Sequence, residues 1–183
     1  MIRGLIYFST ALALAAPLQA KNPLKSLRLS DMQLYAPSVE PGYVMHGNGL
    51  FKTDFVINDR GVEFMQVTSR RGGKRGERTH EGIDIAAPHG SEIIYLGFDG
   101  ENALVHTGFQ ARGCGRYAFL ERNNIATLFC HLSDIAVEDG TVIEPGAVIG
   151  RVGTSGHSTG PHLHYERRED GSSLPLERAA RLR

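Results

Sequence analysis

The chain has 183 residues, one domain's worth, and its 20 Lys+Arg are balanced by 20 Asp+Glu. A charge balance near zero excludes the basic surface that a nucleic-acid binder needs. Beyond the N-terminal stretch, no segment is apolar enough to span a membrane.

The first element is a secretory signal peptide over residues 1–20. Arg3 supplies the positive region, Leu5 to Leu18 the apolar run, and Ala20 a small residue before the cut. Leu18 departs from the usual small residue three positions before cleavage. No cysteine follows the apolar run, so there is no lipoprotein signal. The alternative is an uncleaved anchor, but the run is shorter than the ~20 residues of a membrane span. An exported protein of the periplasm or cell envelope follows, with no membrane span after cleavage. Residues 21–60 contain Pro23, Pro37 and Pro41 and lack periodicity. They read as a mostly irregular leader lying across a single domain of residues 61–183.

Val62 to Thr68 alternates well enough for a strand. Arg70 to Arg78 is a glycine-rich basic loop, read as solvated rather than phosphate-binding because no strand–helix context surrounds it. Ile83 to Ala86 reads as a strand. Glu92 to Phe98 and Ala103 to Thr107 flank Asp99-Gly100, a hairpin signal. Tyr117 to Glu121 and Ile125 to His131 flank Asn123-Asn124, a second hairpin. Val142 to Gly150 joins a turn to a short strand, and Leu163 to Arg167 is another. The 22 glycines suit many tight turns, and no long segment has a 3.6-residue period. The expected fold is all-β, a small twisted antiparallel sheet or partly open barrel with few or no long helices.

The two cysteines, Cys114 and Cys130, lie almost symmetrically about the Asn123-Asn124 turn. In an oxidising compartment they suit a cross-strand disulfide. Two buried free thiols are the other reading.

The chemistry is concentrated in three short stretches: His80-Glu81-Gly82-Ile83-Asp84, Cys130-His131-Leu132-Ser133, and Gly160-Pro161-His162-Leu163-His164-Tyr165-Glu166. On a strand, His162 and His164 fall on the same face. Three ligands drawn from two adjacent imidazoles, a further His and an Asp suit a catalytic zinc site, which leaves its fourth position to water. The first stretch is not the helical H-E-x-x-H of other zinc proteases. Gly82 weakens a helix, and Asp84 stands where the second His would be. Glu81 is therefore a solvent-facing side chain rather than a general base. Ser155 lacks the final glycine of G-x-S-x-G, so a serine hydrolase is a poor reading. His46, His89, His106 and His157 are taken as ordinary surface or core residues; of these His157, in the glycine loop Gly153–Gly160, is the one placed where it could touch a substrate.

These motifs, in this order from about Arg78 to Pro175, resemble the LytM/lysostaphin-type zinc metalloendopeptidases, which cut peptide cross-links in bacterial cell walls. The resemblance implies one Zn²⁺ per chain, held by His80, Asp84 and His164. It assigns His131 and His162 to catalysis, one as general base and one as donor to the oxyanion, without saying which is which. It implies a metallopeptidase domain over 61–183 acting on peptidoglycan stem peptides or cross-links. Two other readings stand beside it: a non-catalytic peptidoglycan-binding regulator of another cell-wall hydrolase, and a zinc peptidase with a protein substrate. Regulators of that kind usually lose zinc ligands, and this chain keeps all five positions. The chain departs from the family pattern around Gly113-Cys114-Gly115, where an aromatic or amide residue is usual nearby. It departs again at Phe129, where Tyr is common.

Overall fold

The computed structural model describes residues 42–46, 49–63, 66–97, 100–175 and 178–181. The expected signal peptide and residues 21–41 of the expected leader lie outside the described residues. The described chain is built from strands: β1 (Gly42–His46), β2 (Gly49–Thr53), β3 (Phe55–Asp59), β4 (Val62–Glu63), β5 (Val67–Ser69), β6 (Lys74–Arg75), β7 (Arg78–Thr79), β8 (Ile83–Ala86), β9 (Glu92–Tyr95), β10 (Ala103–Gln110), β11 (Gly115–Arg122), β12 (Ile125–Ile135), β13 (Val142–Ile143), β14 (Val148–Val152), β15 (His162–Glu169), β16 (Ser172–Leu174) and β17 (Arg178–Arg181). Among the described residues there is no helix, and the expected all-β class holds.

β12 is the spine of the main sheet. β11 pairs with one of its edges, from Arg122 opposite Ile125 to Arg116 opposite Leu132. The other edge has two partners. β15 pairs with Ile125 to Cys130, and β14 takes over from Leu132. β15 in turn carries β8 on its far side, and β8 carries β5. The Asn123-Asn124 turn is the two-residue hairpin that the sequence signals. Asn123 takes a left-handed φ of 50°, a conformation Asn tolerates better than most residues.

Three expectations are corrected. The stretch 42–59 is not irregular: β1 and β2 pair with each other, and β3 is hydrogen-bonded to β9 within the main sheet. Its few alternating apolar residues suffice because Phe55 and Ile57 point into a deep core. The Asp99-Gly100 signal does not make a hairpin. β9 ends at Tyr95 and pairs with β3 and β14, while β10 pairs with β11 and β13. Phe98 and Asp99 lie outside the described residues. The Val62–Thr68 segment is shared between two neighbours, β4 pairing with β3 and β5 with β8.

The core lies beneath the inner face of β12 and β15. Phe55, Phe129 and Tyr165 form an aromatic trio with centroids 4.7 to 5.4 Å apart. Such contacts add about 0.5–1.5 kcal/mol per pair beyond area burial. Phe129 is therefore a core residue, with its ring on the Tyr165 side of the sheet and away from the face that carries His164. Behind the trio sits one buried polar node. Asp54, fully buried, accepts hydrogen bonds from the Tyr165 hydroxyl (2.8 Å) and Thr127 Oγ1 (3.1 Å). It also pairs with the Arg122 guanidinium at 2.8 Å. Burial, and then the Asp54 carboxylate, push the Tyr165 phenol well above its usual range, so it stays a donor. This node ties β3's flank to β11, β12 and β15.

Breaking a buried pair leaves an uncompensated charge. Asp54→Ala should cost about 3–5 kcal/mol of unfolding free energy, measured by urea denaturation at pH 7. A loss below ~1 kcal/mol would show that the node does not hold the layers together.

Candidate metal centre and catalytic groove

The pairing of β15 with β8 sets the centre. His164 on β15 stands directly opposite Asp84 on β8 and opposite Cys130 on β12. Period-2 alternation buries Leu163 and Tyr165 and turns His162 and His164 to the opposite face. His80 precedes β8. Its backbone N–H donates to the Gly73 carbonyl, and its own carbonyl accepts from the Gly72 N–H. The basic loop thus fixes the position of His80. Gly82, between His80 and Asp84, has no room for a side chain: a Cβ there would strike the Tyr165 carbonyl and the His164 ring. Only glycine lets this segment lie flat against β15.

Three atoms converge. His80 Nε2 is 3.1 Å from Asp84 Oδ1 and 2.9 Å from His164 Nδ1, which is itself 2.9 Å from Asp84 Oδ1. Metal–ligand bonds of ~2.0–2.2 Å at tetrahedral angles would separate such atoms by roughly 3.3 Å. The outward nitrogens decide the tautomers. His80 Nδ1 faces the Arg70 carbonyl at 2.8 Å and must donate to it. His164 Nε2 faces the Glu166 carboxylate at 2.9 Å and must donate to that. Both inward nitrogens are then lone pairs, and they face each other and a carboxylate oxygen. Such a set requires a cation or a proton at its centre. His80, Asp84 and His164 thus fit a divalent metal by donor chemistry as well as by distance.

The electrostatics agree. Burial works to raise the Asp84 carboxyl, but the His164 hydrogen bond and the charges of His80, His164 and His162 outweigh it and bring it down to about 2. Burial works to lower His164, but its hydrogen bonds to Asp84 and Glu166 and their charges raise it to about 9. Without metal, therefore, a proton on His164 occupies the gap.

The two remaining histidines line the other side. His131 and His162 have ring centroids 4.7 Å apart, and His162 Nε2 lies 3.8 Å from Asp84 Oδ1. His131 Nδ1 faces the Ser155 carbonyl at 2.8 Å, and His162 Nδ1 faces the Gly160 carbonyl at 2.8 Å. Each ring thereby presents Nε2 to the groove. Burial depresses His131, which keeps it neutral at pH 7. Cys114 and Cys130 form a disulfide in the groove wall, with Cα atoms 4.8 Å apart. Glu81 points to solvent, as expected, and His157 is exposed on the rim.

Four residues have places at the site that the sequence reading does not assign to them. Glu166, two residues past His164 on the same strand face, was recoverable from alternation. Arg168 holds Glu166 at 2.6 Å. Arg75, in the loop expected to be merely solvated, donates to Asp84 Oδ2 at 2.6 Å. Ser155 positions the loop behind His131. Nothing local marks Arg75 or Ser155, because both act across long loops.

The sequence model of peptidase family M23 matches residues 78–175. The chain belongs to peptidase family M23. That span coincides with the one over which its motifs resemble the LytM/lysostaphin-type enzymes. Among curated relatives, the DD-carboxypeptidase/endopeptidase Mpg of Neisseria meningitidis is 40% identical over 98 residues, covering 53% of this chain and 22% of that protein. The peptidoglycan DD-endopeptidase ShyA of Vibrio cholerae is 38% identical over 88 residues, 48% of this chain and 20% of that protein. The chain spans about a fifth of the length of these relatives. Among solved structures, a catalytic-domain variant of the prophage-encoded M23 protein EnpA from Enterococcus faecalis is 28% identical with a TM-score of 0.50, covering 75% of this chain and 94% of that one. A zinc-containing peptidase from Vibrio cholerae shares the fold, with a TM-score of 0.56 at 24% identity over 77% of this chain and 47% of that one.

Metal uptake should release protons. A group raised to about 9 holds its proton at neutral pH, and a metal binds only the deprotonated form. Affinity for a divalent ion should therefore rise with pH, by up to about tenfold per unit, until near pH 9. Calorimetry of zinc binding at pH 7.5 in two buffers of different ionisation heat should show about one proton released per ion. No release would show that His164 holds no proton in the gap at that pH.

Proposed function

We propose that this protein is a zinc metalloendopeptidase, exported to the periplasm or cell envelope, that hydrolyses peptide bonds in peptidoglycan stem peptides or cross-links. The observation that carries this reading is the convergence of His80 Nε2, Asp84 Oδ1 and His164 Nδ1, with two non-ligand histidines across the groove. The peptidoglycan DD-endopeptidases among its relatives support the substrate class.

A zinc ion held by His80, Asp84 and His164 would lower the pKa of a bound water and polarise the scissile carbonyl. His131 is the general base. Its Nδ1–H is committed to Ser155, its Nε2 lone pair faces the groove, and it is neutral at pH 7. His162, with its Nδ1–H committed to the Gly160 carbonyl, would donate from Nε2 to the developing oxyanion in its protonated form, beside His131. Glu166 and Arg168 orient His164, and Arg75 orients Asp84 by taking its second oxygen. The presence of all five ligand and catalytic positions favours catalysis over a binding-only regulator.

His164→Ala and Asp84→Ala should lose both zinc and activity. His131→Ala and His162→Ala should keep about one zinc per chain and lose at least ~100-fold in turnover, the typical contribution of a general acid–base group. Elemental analysis and digestion of purified peptidoglycan, with released peptides identified by mass spectrometry, check this. Zinc loss in His131→Ala would overturn the ligand assignment. Cleavage of casein without cleavage of peptidoglycan would move the substrate to proteins.

The same mass spectrometry on exported protein should find a mature N-terminus near Lys21. An intact Met1 on exported protein would refute cleavage.

A further inference from the structure

His131 sits where β12 changes partner from β15 to β14, and its backbone takes a left-handed φ of 63°. A non-glycine residue holds that conformation only when its surroundings impose it. Here two loops impose it. The His131 N–H donates to the Cys114 carbonyl at 2.7 Å, and Cys114 is bonded through its sulfur to Cys130, the residue before His131. The Ser155 carbonyl accepts from His131 Nδ1, while Ser155 Oγ donates to the Leu132 carbonyl at 2.8 Å and accepts from the Arg116 N–H at 2.8 Å. The His157 N–H donates to the Gly113 carbonyl at 2.8 Å. Gly115 and Gly156, both with left-handed φ, meet backbone to backbone, and a Cβ on Gly156 would strike Gly115 N and Gly113 O. The two loops are thus closed on each other, and Cys130, His131 and Leu132 are gripped from both.

We infer that this clasp, closed by the Ser155 hydroxyl and the Cys114–Cys130 disulfide, is a positioning device that fixes the tautomer and direction of His131. The disulfide is not needed to hold β11 against β12, since their ladder already runs from Arg122–Ile125 to Arg116–Leu132. It lies at the end of that ladder, where β11 begins and β12 bulges. Its effect is therefore on the Cys114 carbonyl and on His131. The Ser155 carbonyl can only accept, so it selects the Nδ1–H form and leaves Nε2 as the lone pair facing the groove. In the other tautomer two acceptors would face each other across 2.8 Å. Ser155 and the cysteines touch no reacting atom; they act through His131.

The kinetic consequence rests on the proposed peptidase reading, but the tautomer does not, and the two are measured separately. Long-range proton–nitrogen NMR of the zinc-loaded full chain should show His131 as a single Nδ1–H tautomer. Ser155→Ala and the double variant Cys114→Ala/Cys130→Ala should each show mixed tautomers. Both should keep about one zinc per chain, and their kcat on purified peptidoglycan should fall roughly 10- to 100-fold with KM nearly unchanged, as for a misplaced catalytic group. Wild-type protein with an Nε2–H tautomer, or variants that keep wild-type tautomer and kcat, would overturn the inference. So would a fall in kcat that tracks zinc loss. Wild-type protein with the fixed tautomer but no action on peptidoglycan would instead overturn the proposed substrate and leave the clasp standing.

Discussion

The whole site depends on β15 being hydrogen-bonded on both edges at once, to β8 and to β12. That double pairing brings Asp84, His164 and Cys130 into one row across three strands. Row spacing in a sheet is fixed by backbone hydrogen bonds at ~4.8 Å, so side chains on adjacent strands meet without long reach. Asp84 and His164 need only ordinary conformations to place oxygen and nitrogen 2.9 Å apart. The inner face of the same strand is anchored by Tyr165, which is locked to Asp54 and packed against Phe55 and Phe129. A rigid core on one face therefore holds a preorganised set of acceptors on the other. A one-residue slip of β15 would exchange the two faces, burying His164 and exposing Tyr165.

The side proposed for catalysis is built differently. His131 does not lie in a regular ladder. The alternation of β12 holds through Phe129, and then Cys130, His131 and Leu132 are all buried. The strand bulges there, as strands often do beside functional sites. The bulge aims the ring at the groove while the loops around Cys114 and Ser155 hold the backbone. Two of the proposed ligands, Asp84 and His164, are thus set by the sheet, while His80 and the proposed base are set by loops clamped to it.

Charge follows the same division. Glu166 and Arg168 continue the outer face of β15 beyond His164, and Arg75 reaches Asp84 from the basic loop. Each proposed ligand has an outer partner that fixes which atom points inward. Three acceptors turned toward one point would repel each other unless something positive stood between them. The fold bears that cost because its ladders and its core leave the side chains no alternative.

The residues themselves determined much of this. The spacing of His162 and His164 set their common face, and period-2 alternation also put Glu166 there, although only the structure showed its role. Glycine content and the absence of a 3.6-residue period fixed the all-β class, and the Asn123-Asn124 turn was legible because a two-residue hairpin is a local event. Non-local pairing was not legible. Asp99-Gly100 has hairpin chemistry, yet β9 found β3 and β14, because Ile93 and Tyr95 are buried there. Residues 42–59 looked irregular because short strands draw their stability from partners far away in sequence. Arg75 and Ser155 reach the site from loops, where nothing in the local sequence records direction. The sequence chose the chemistry through residue type and near spacing, which the backbone period translates directly into geometry. The tertiary structure alone decided which atoms face inward, because tautomers and loop positions depend on contacts that only the assembled sheet provides.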